Sequence, residues 1–302
     1  MSIHITSAPC CWGVDDVKNP HLPAWTQVLR EASAAGYRGI ELGPYGYLPL
    51  EIDTVAQELA RNGLSIVAGT IFDDLVSAAN GDNLLRQTHE ICGLISRLPR
   101  LPSEPGQRFA APYLVVMDWG HDERDYAAGH PERAPRLAPA DWARLVGHVR
   151  QIAELSWREY GIRSVIHPHA GGYIEFADEI EQILREIPHE VAGLCLDTGH
   201  SYYSGMDPVT WLRRYAERID YVHFKDIDRQ VFDQVMGQRI RFFEACAAGV
   251  MCPIGQGVLD YDGIRQALAD DGYQGYITVE QERDPRHAGS VLAAANASRH
   301  LL

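Results

Sequence analysis

The chain has 302 residues, of which 46% are apolar, and a formal charge of −14. This charge argues against binding of nucleic acid, because a phosphate backbone requires a basic surface. No apolar run reaches the ~18 residues that span a membrane, and the first residues lack the basic and then apolar segment of a secretory signal, so we expect a cytoplasmic protein.

Strand and helix signals alternate along the whole chain. Short β-branched runs predict strands at Ile3–Ser7, Gly39–Gly43, Leu64–Thr70, Tyr113–Met117, Arg163–His167, Ala192–Leu196, Ile219–Phe224 and Gly275–Glu280. Apolar residues at helical spacing predict helices at about 24–35, 50–61, 84–98, 139–160, 176–186, 208–218, 261–271 and 287–300. Strands that alternate with helices in this way favour a closed (β/α)₈ TIM barrel over an open sheet, because parallel crossovers are right-handed.

Two long connections interrupt this rhythm. The segment 119–140 is rich in charged residues, Pro and Gly, and the segment 227–260 carries Phe242 and Phe243. Loops of this length are commonly lids or other functional segments. An apolar loop also commonly forms a subunit contact, so we expect a homodimer or homotetramer. Since neither segment resembles a linker, we expect one domain over 1–302.

The six cysteines form no CxxC pair. They are Cys10, Cys11, Cys92, Cys195, Cys246 and Cys252. This pattern is typical of free thiols in a reducing cytoplasm, whereas a disulfide framework suits small secreted chains.

The last four predicted strands all end on a side chain that can bind a metal. These residues are His167, Asp197, His223 and Glu280. One polar strand end is ordinary, but four at the same end of a barrel would face one point. Imidazole and carboxylate together favour one divalent ion, with Mn²⁺ or Co²⁺ as first candidates and Zn²⁺, Fe²⁺ and Mg²⁺ as further ones.

Further polar residues lie close to these strand ends. His169, Glu175, His200 and Lys225 could supply donors and acceptors to a polyhydroxylated substrate. Glu282 faces the same side as Glu280 but one layer further out, so we expect no role in the site for it.

The first half of the barrel offers polar and aromatic side chains near the mouth. They are Trp12, Glu41, Tyr45, Tyr47, Asp118 and Trp119. Aromatic rings at a barrel mouth can stack on the apolar face of a sugar or cyclitol, although plain packing is equally common. We consider them candidate substrate-binding residues.

The set of strand ends resembles that of the xylose-isomerase-like superfamily of sugar isomerases and epimerases, which are TIM barrels with one divalent ion. Several stretches resemble its inosose dehydratase branch over nearly the whole chain. They are Ala8–Gly13, Gly36–Pro49, His167–Gly171, Leu196–His200, Val222–Asp226 and Val279–Glu282. The stretch Gly36–Pro49 is the most specific of them.

The resemblance implies roles for particular residues. Asp197, His223 and Glu280 match three of the four metal ligands of the superfamily, and His167 stands where its epimerases have a glutamate. Epimerases use two ligand carboxylates on opposite faces of the substrate, so a histidine here favours a one-sided reaction such as elimination of water.

The implied activity is that of a metal-dependent dehydratase acting on a keto-cyclitol such as 2-keto-myo-inositol. Glu280 is then the first candidate for the base, with Glu175 or His169 behind it, and His200 or Lys225 could help the β-hydroxyl leave.

Three alternatives remain open at this point. An epimerase or isomerase, or a lyase of 3-keto-glycosides, would use the same enolisation. A sugar-binding barrel would need no metal. A zinc nuclease shares the fold, but the charge of −14 counts against a basic groove.

Overall fold

Eight parallel strands form a closed barrel in the computed structural model, which describes residues 3–287. The sheet contains nine hydrogen-bonded segments, two of which are pieces of the third strand on either side of Val67. The first piece pairs with the second strand and the second piece pairs with the fourth, so the sheet closes on itself. The (β/α)₈ prediction is therefore confirmed.

The barrel strands lie close to their predicted positions. They are Ile3–Ser7, Gly39–Ile40, Ser65–Ile66 with Ala68–Asp73, Tyr113–Asp118, Arg163–Ile166, Gly193–Asp197, Ile219–Phe224 and Gly275–Val279. The first strand pairs in register with the last, from Ile3 opposite Gly275 to Ser7 opposite Val279. All the barrel ladders are parallel, so the carboxyl ends of the strands meet at one mouth.

Seven helices that alternate with the strands of the barrel lie within the described residues. They are Trp25–Ala34, Ile52–Asn62, Gly81–Ile95, Pro139–Tyr160, Ala177–Glu186, Pro208–Arg214 and Tyr261–Asp270. Local sequence fixes their ends. Asp207, just before Pro208, caps one helix by accepting a hydrogen bond from the backbone N–H of Thr210. Gly161 ends the longest of them at φ 63°. The predicted helix at 287–300 lies outside the described residues, apart from His287.

The connection 227–260 is not the loop that the sequence predicts. It contains the helices Arg229–Gln238 and Phe242–Ala247 and a short antiparallel pair of strands, Asp226–Ile227 with Met251–Cys252. The first helix carries Val231, Phe232, Val235 and Met236 on one face, and Val235 is fully buried. The segment 119–140 contains only the short helix Asp122–Asp125.

The two phenylalanines of the segment 227–260 differ in exposure. Phe242 is fully buried, whereas Phe243 is half-buried and lines the cavity described below. The homodimer or homotetramer stays a prediction.

Tyrosines and small apolar residues fill the lower half of the barrel. Tyr113 and Tyr221 stack with ring centroids 4.8 Å apart, and Val115, Val165 and Cys195 pack against them. All six cysteines are free thiols. This packing closes the barrel below, so space for a ligand remains at the carboxyl end. Within residues 3–287, no helix is both long and apolar enough to cross a membrane.

A buried ion pair supports the amino end of the barrel. Arg163 Nε donates to Asp220 Oδ2 at 2.8 Å, and both side chains are almost fully buried. We expect Asp220→Asn to lower the free energy of unfolding by ~3 kcal/mol, because it leaves a buried guanidinium uncompensated. Chemical denaturation measures the loss. Asp233→Asn, which breaks an exposed pair with Arg229, should change stability by less than ~0.5 kcal/mol, and equal effects of the two would contradict this assignment.

Candidate active site and metal centre

The four predicted ligands meet at the mouth of the barrel. Ligand atoms of His167, Asp197, His223 and Glu280 all lie within 4.8 Å of one another. Nε2 of His167 is 3.5 Å from Asp197 Oδ2, and Nδ1 of His223 is 3.0 Å from Glu280 Oε2. The parallel strands bring these side chains together because each lies at or beside the carboxyl end of its strand.

Glu41 fixes the orientation of one of these ligands. Its Oε1 accepts hydrogen bonds from Nε2 of His223 at 2.9 Å and from the hydroxyl of Tyr221 at 2.8 Å. A carboxylate can only accept here, so the proton lies on Nε2 and Nδ1 faces the cluster. Glu41 was predicted to contact substrate, and its contacts indicate instead that it orients His223.

The donor atoms fit a divalent metal ion. Both ring nitrogens of His167 and Nδ1 of His223 are buried without a hydrogen-bond partner among the described residues. Burial opposes protonation of His223, but Cys195 and the carboxylates of Glu280 and Glu41 outweigh it and raise its pKa well above the ordinary value. The ring therefore requires a proton or another cation at Nδ1. Two imidazoles and two carboxylates are a typical set for a first-row divalent ion.

Lys225 supplies the positive charge that these carboxylates need. Its buried Nζ lies 2.6 Å from Asp197 Oδ2 and 3.1 Å from Glu282 Oε1, and it also contacts Glu280. Burial alone would raise the pKa of Asp197, yet Lys225 and the nearby histidines hold it well below the usual range. Burial likewise favours neutral Lys225, but the three carboxylates raise its pKa well above the ordinary value.

A cavity of about 570 Å³ opens above the cluster. One end is polar and is lined by His167, His169, His200, Lys225, Glu280 and Glu282. Aromatic rings of Tyr45, Phe72 and Phe243 also line the cavity, and Phe72 lies 5.0 Å from His169 between ring centroids. This size suits a small ligand, and polar groups beside aromatic rings suit a ring with hydroxyl groups and an apolar face.

The backbone of Ala170 sets opposite tautomers on two neighbouring histidines. Nδ1 of His169 lies 2.9 Å from the carbonyl oxygen of Ala170, which can only accept, so this nitrogen carries the proton. The N–H of Ala170 donates to Nδ1 of His200 at 3.1 Å, so His200 carries its proton on Nε2. The rings lie 4.1 Å apart. Burial, with neighbouring positive groups, lowers the pKa of both well below the ordinary value, so both are neutral.

Sequence reasoning underestimated Glu282 and missed Asp15. Glu282 is buried and its Oε2 has no hydrogen-bond partner among the described residues. Burial raises its pKa to about 6, which Lys225 opposes and Glu280 supports. Asp15 also lines the cavity, and burial with the charges of Glu282 and Glu280 raises its pKa well above the ordinary value. The sequence did carry a signal for Glu282, because residues two apart on an extended chain point to the same side and Glu280 was already a predicted ligand.

Two residues predicted to contact substrate lie elsewhere. Trp12 is buried in the core, where its indole N–H donates to Glu31 Oε2 at 2.7 Å. Tyr47 donates its hydroxyl proton to the carbonyl of Pro23. Packing therefore explains both residues. Tyr45 lines the cavity and stays a predicted substrate contact.

Asp118, Trp119 and Glu175 surround the cavity from outside. Asp118 accepts from the backbone N–H groups of Leu75 and Tyr173. The indole of Trp119 stacks on Phe72 at 5.2 Å and contacts His169 edge-on. These placements replace the predicted substrate contacts.

Glu175 was predicted as a possible base, but both of its oxygens face protein donors. Oε1 accepts from Gly129 N–H and Ser204 Oγ, and Oε2 accepts from Gly171 N–H. Burial raises its pKa to about 7, while Arg124 and the two backbone N–H groups act against that rise. A carboxylate held in this way does not reach a substrate.

Comparison with known proteins agrees with this geometry. Residues 29–301 match the family described as xylose isomerase-like TIM barrel. The chain belongs to this family. It is 36% identical to an inosose dehydratase from Geobacillus kaustophilus, over 97% of this chain and 92% of that one. It is 31% identical to the rhizopine catabolism protein MocC from Rhizobium meliloti, over 100% of this chain and 88% of that one.

Solved structures share the fold at lower identity. The probable 3-DHS dehydratase AsbF from Bacillus anthracis is 17% identical with a TM-score of 0.71, over 100% of this chain and 98% of that one. The IOLI protein, solved with a zinc atom, is 14% identical with a TM-score of 0.71, over 98% of this chain and 95% of that one.

The charge balance around Lys225 generates a prediction. In chelator, we expect Lys225→Met to lower the free energy of unfolding by ~3–5 kcal/mol at pH 7, because it leaves buried carboxylates without their cation. Because the pKa of Asp197 is lower in the folded than in the unfolded protein, its ionisation stabilises the fold above the unfolded pKa of about 4. This stabilisation is lost as the pH falls toward the folded pKa. The loss should therefore shrink below pH ~4.

Chemical denaturation as a function of pH measures this difference. Lys18, the other lysine of the chain, is exposed, so Lys18→Met is the matched control and should leave stability nearly unchanged. A loss for Lys225→Met that is independent of pH would contradict the electrostatic explanation.

Proposed function

We propose that this protein is a metal-dependent dehydratase that eliminates water from a keto-cyclitol such as 2-keto-myo-inositol. One observation carries the proposal: a histidine replaces one ligand carboxylate, and two neutral histidines of opposite tautomer lie beside it in the cavity. A site with its proton-transfer groups on one side suits elimination rather than the exchange of a proton between two faces. The similarity to an inosose dehydratase at 36% identity supports this choice of reaction and substrate.

His167, Asp197, His223 and Glu280 would hold the metal ion. When bound, such an ion supplies Lewis-acid polarisation of the ketone. Mn²⁺ and Co²⁺ remain our first candidates, since the ligand set does not distinguish among first-row ions.

His169 is a better base than Glu280 in this geometry. Although burial would raise the pKa of Glu280, His223 and Lys225 outweigh it and hold the pKa well below the ordinary value, so this carboxylate stays paired with cations. Glu280 is also one of the four ligands. His169 uses Nδ1 to donate to Ala170, so the lone pair of Nε2 is left for the cavity.

His200 complements His169 as the acid. Its Nε2–H is buried without a hydrogen-bond partner among the described residues. In the proposed reaction the α-proton passes to Nε2 of His169, and the C–H electron pair forms the new double bond. The β-hydroxyl leaves as water with the proton from Nε2 of His200, and the proton taken up by His169 replaces it, since the two rings lie 4.1 Å apart. Lys225 stays with the carboxylates.

A homo-oligomer remains part of the proposal, as does a small polyhydroxylated keto compound as substrate. Of the two phenylalanines first expected to form the contact, Phe242 is buried and Phe243 is half-buried. Exposed Leu50, Tyr126 and Trp157 are the large apolar side chains left at the surface among the described residues, together with Val17.

Turnover of 2-keto-myo-inositol tests the function. We expect the protein loaded with Mn²⁺ or Co²⁺ to convert it to a product whose conjugated carbonyl absorbs in the ultraviolet, and chelator to lower the rate at least ~100-fold. Loss of water is confirmed by proton NMR. Exchange of the α-proton in deuterated water without loss of water would favour an epimerase, and binding of the sugar without a metal would favour a binding protein.

Metal affinity tests the role of Glu41. We expect Glu41→Gln to weaken binding of Mn²⁺ by ~10–100-fold, because the amide holds Nε2 of His223 less firmly and lowers the basicity of the ring. Titration calorimetry measures the affinity. Glu90→Gln, which changes a carboxylate on the rim of the same cavity, should leave it within about twofold. Equal affinities for both variants would contradict the role of Glu41.

A further inference from the structure

We propose that Glu175 is a positioning residue that fixes the tautomer of His169 by holding the peptide group between Ala170 and Gly171, and that also anchors the helix that carries His200. This inference rests on the proposed function, in which His169 is the base and His200 the acid. Glu175 itself acts from behind the cavity and through the backbone.

The first step is the geometry of one peptide plane. The N–H of Gly171 donates to Glu175 Oε2 at 2.9 Å, and the carbonyl of Ala170, in the same peptide group, accepts from Nδ1 of His169. In a trans peptide these two groups point in opposite directions. Glu175 therefore pulls on one side of the plane while the imidazole lies on the other, and rotation of the plane would break both bonds.

The backbone alone does not hold this plane. Gly171 has φ +90°, a region that glycine enters without steric cost. A peptide next to such a glycine has an alternative orientation within reach, in which Ala170 would turn its carbonyl away from His169. The carboxyl group of Glu175 selects the observed orientation, because its two oxygens accept from Gly171 N–H on one side and from Gly129 N–H and Ser204 Oγ on the other.

The second oxygen of Glu175 secures the acid. Oε1 accepts from Ser204 Oγ at 3.1 Å, and Ser204 follows the helix Thr198–Tyr203, which carries His200. The same oxygen accepts from Gly129 N–H at 2.7 Å. One carboxylate thus joins the loop that carries Ala170, the helix that carries His200 and the segment 119–140.

Arg124 makes this buried charge tolerable. Its guanidinium is fully buried, lies 3.5 Å from Glu175 Oε2 and binds both oxygens of Glu179. The arginine carries one of the two charges that a pair of buried carboxylates requires, and Arg136 on Glu179 supplies the second. Stability alone does not explain why these charges are buried, because a buried ion pair stabilises a fold little more than apolar residues would once its desolvation is counted.

The test is Glu175→Gln, which keeps the volume of the side chain but replaces one of its two acceptor oxygens by an amide nitrogen. The remaining oxygen cannot accept both from Gly171 N–H and from the donors on the other side. In metal-free wild-type protein labelled with ¹⁵N-histidine, NMR should show His169 protonated on Nδ1 and His200 on Nε2, with signals assigned by His169→Gln and His200→Gln. In the Glu175→Gln variant we expect a mixture of tautomers at His169. With metal and 2-keto-myo-inositol we expect kcat to fall ~10–100-fold, with KM within about threefold.

Two further variants separate positioning from simple loss of stability. Asp220→Asn removes a buried carboxylate at the opposite end of the barrel and should leave both tautomers and kcat unchanged within about twofold, although it destabilises the fold. Ser204→Ala removes only the contact to the helix, so His169 should keep its tautomer.

The outcomes distinguish the two proposals. His169 protonated on Nε2 in wild-type protein, or unchanged tautomers and kcat in a folded Glu175→Gln variant, would overturn the positioning role. If that variant does not fold, wild-type protein provides the test. The observed tautomers with a Gly171 amide proton shifted downfield by the carboxylate would support the positioning role, and an ordinary chemical shift of that proton would overturn it. Mixed tautomers in the variant without turnover by any form would support positioning while refuting the proposed substrate.

Discussion

The concentration of negative charge at the carboxyl end of the barrel constrains the rest of the site. Parallel strands bring Asp197 and Glu280 together in a closed, poorly hydrated space, with Glu282 directly above them. Ionised carboxylates at this distance in a low dielectric repel each other strongly unless cations separate them. Lys225 is the fixed cation, and the imidazoles of His167 and His223 leave nitrogens facing the gap for another. The fold therefore creates a need for positive charge that a divalent ion meets.

This arrangement is consistent with the proposed one-sided chemistry. Against the effect of burial, Lys225 and the nearby histidines hold the pKa values of Asp197 and Glu280 low, so these carboxylates stay paired with cations. In the proposed reaction, proton transfer therefore falls to groups that are buried but neutral. His169 and His200 meet that requirement, and their opposite tautomers arise from the N–H and C=O of a single residue, Ala170. Two identical side chains thereby acquire different roles, although the residues beside them in sequence do not show which ring nitrogen carries the proton.

The barrel and its four strand-end ligands were within reach of the sequence, because both depend on periodicity along the chain. Apolar runs reveal buried strands, and a polar residue at the end of each run reveals what the mouth presents. Roles that depend on contacts between distant segments were not within reach. Glu41 meets His223 across the barrel, and Trp12 meets Glu31 on a neighbouring helix. The helix Arg229–Gln238 was missed although Val231, Phe232, Val235 and Met236 recur at helical spacing, so this signal was present in the sequence.

Three residues first assigned to the substrate or the chemistry, Asp118, Trp119 and Glu175, lie around the loop from His169 to Glu175. Asp118 accepts from the N–H of Tyr173, and an added Cβ at Gly171 would meet the indole of Trp119 at 2.7 Å. An added Cβ at Gly172 would likewise meet the carbonyl oxygen of Asp118 at 2.3 Å. Together with Glu175 they enclose a loop whose glycines permit several backbone orientations. These polar and aromatic side chains restrict the backbone of the loop, and the backbone in turn decides which nitrogen of each histidine carries the proton.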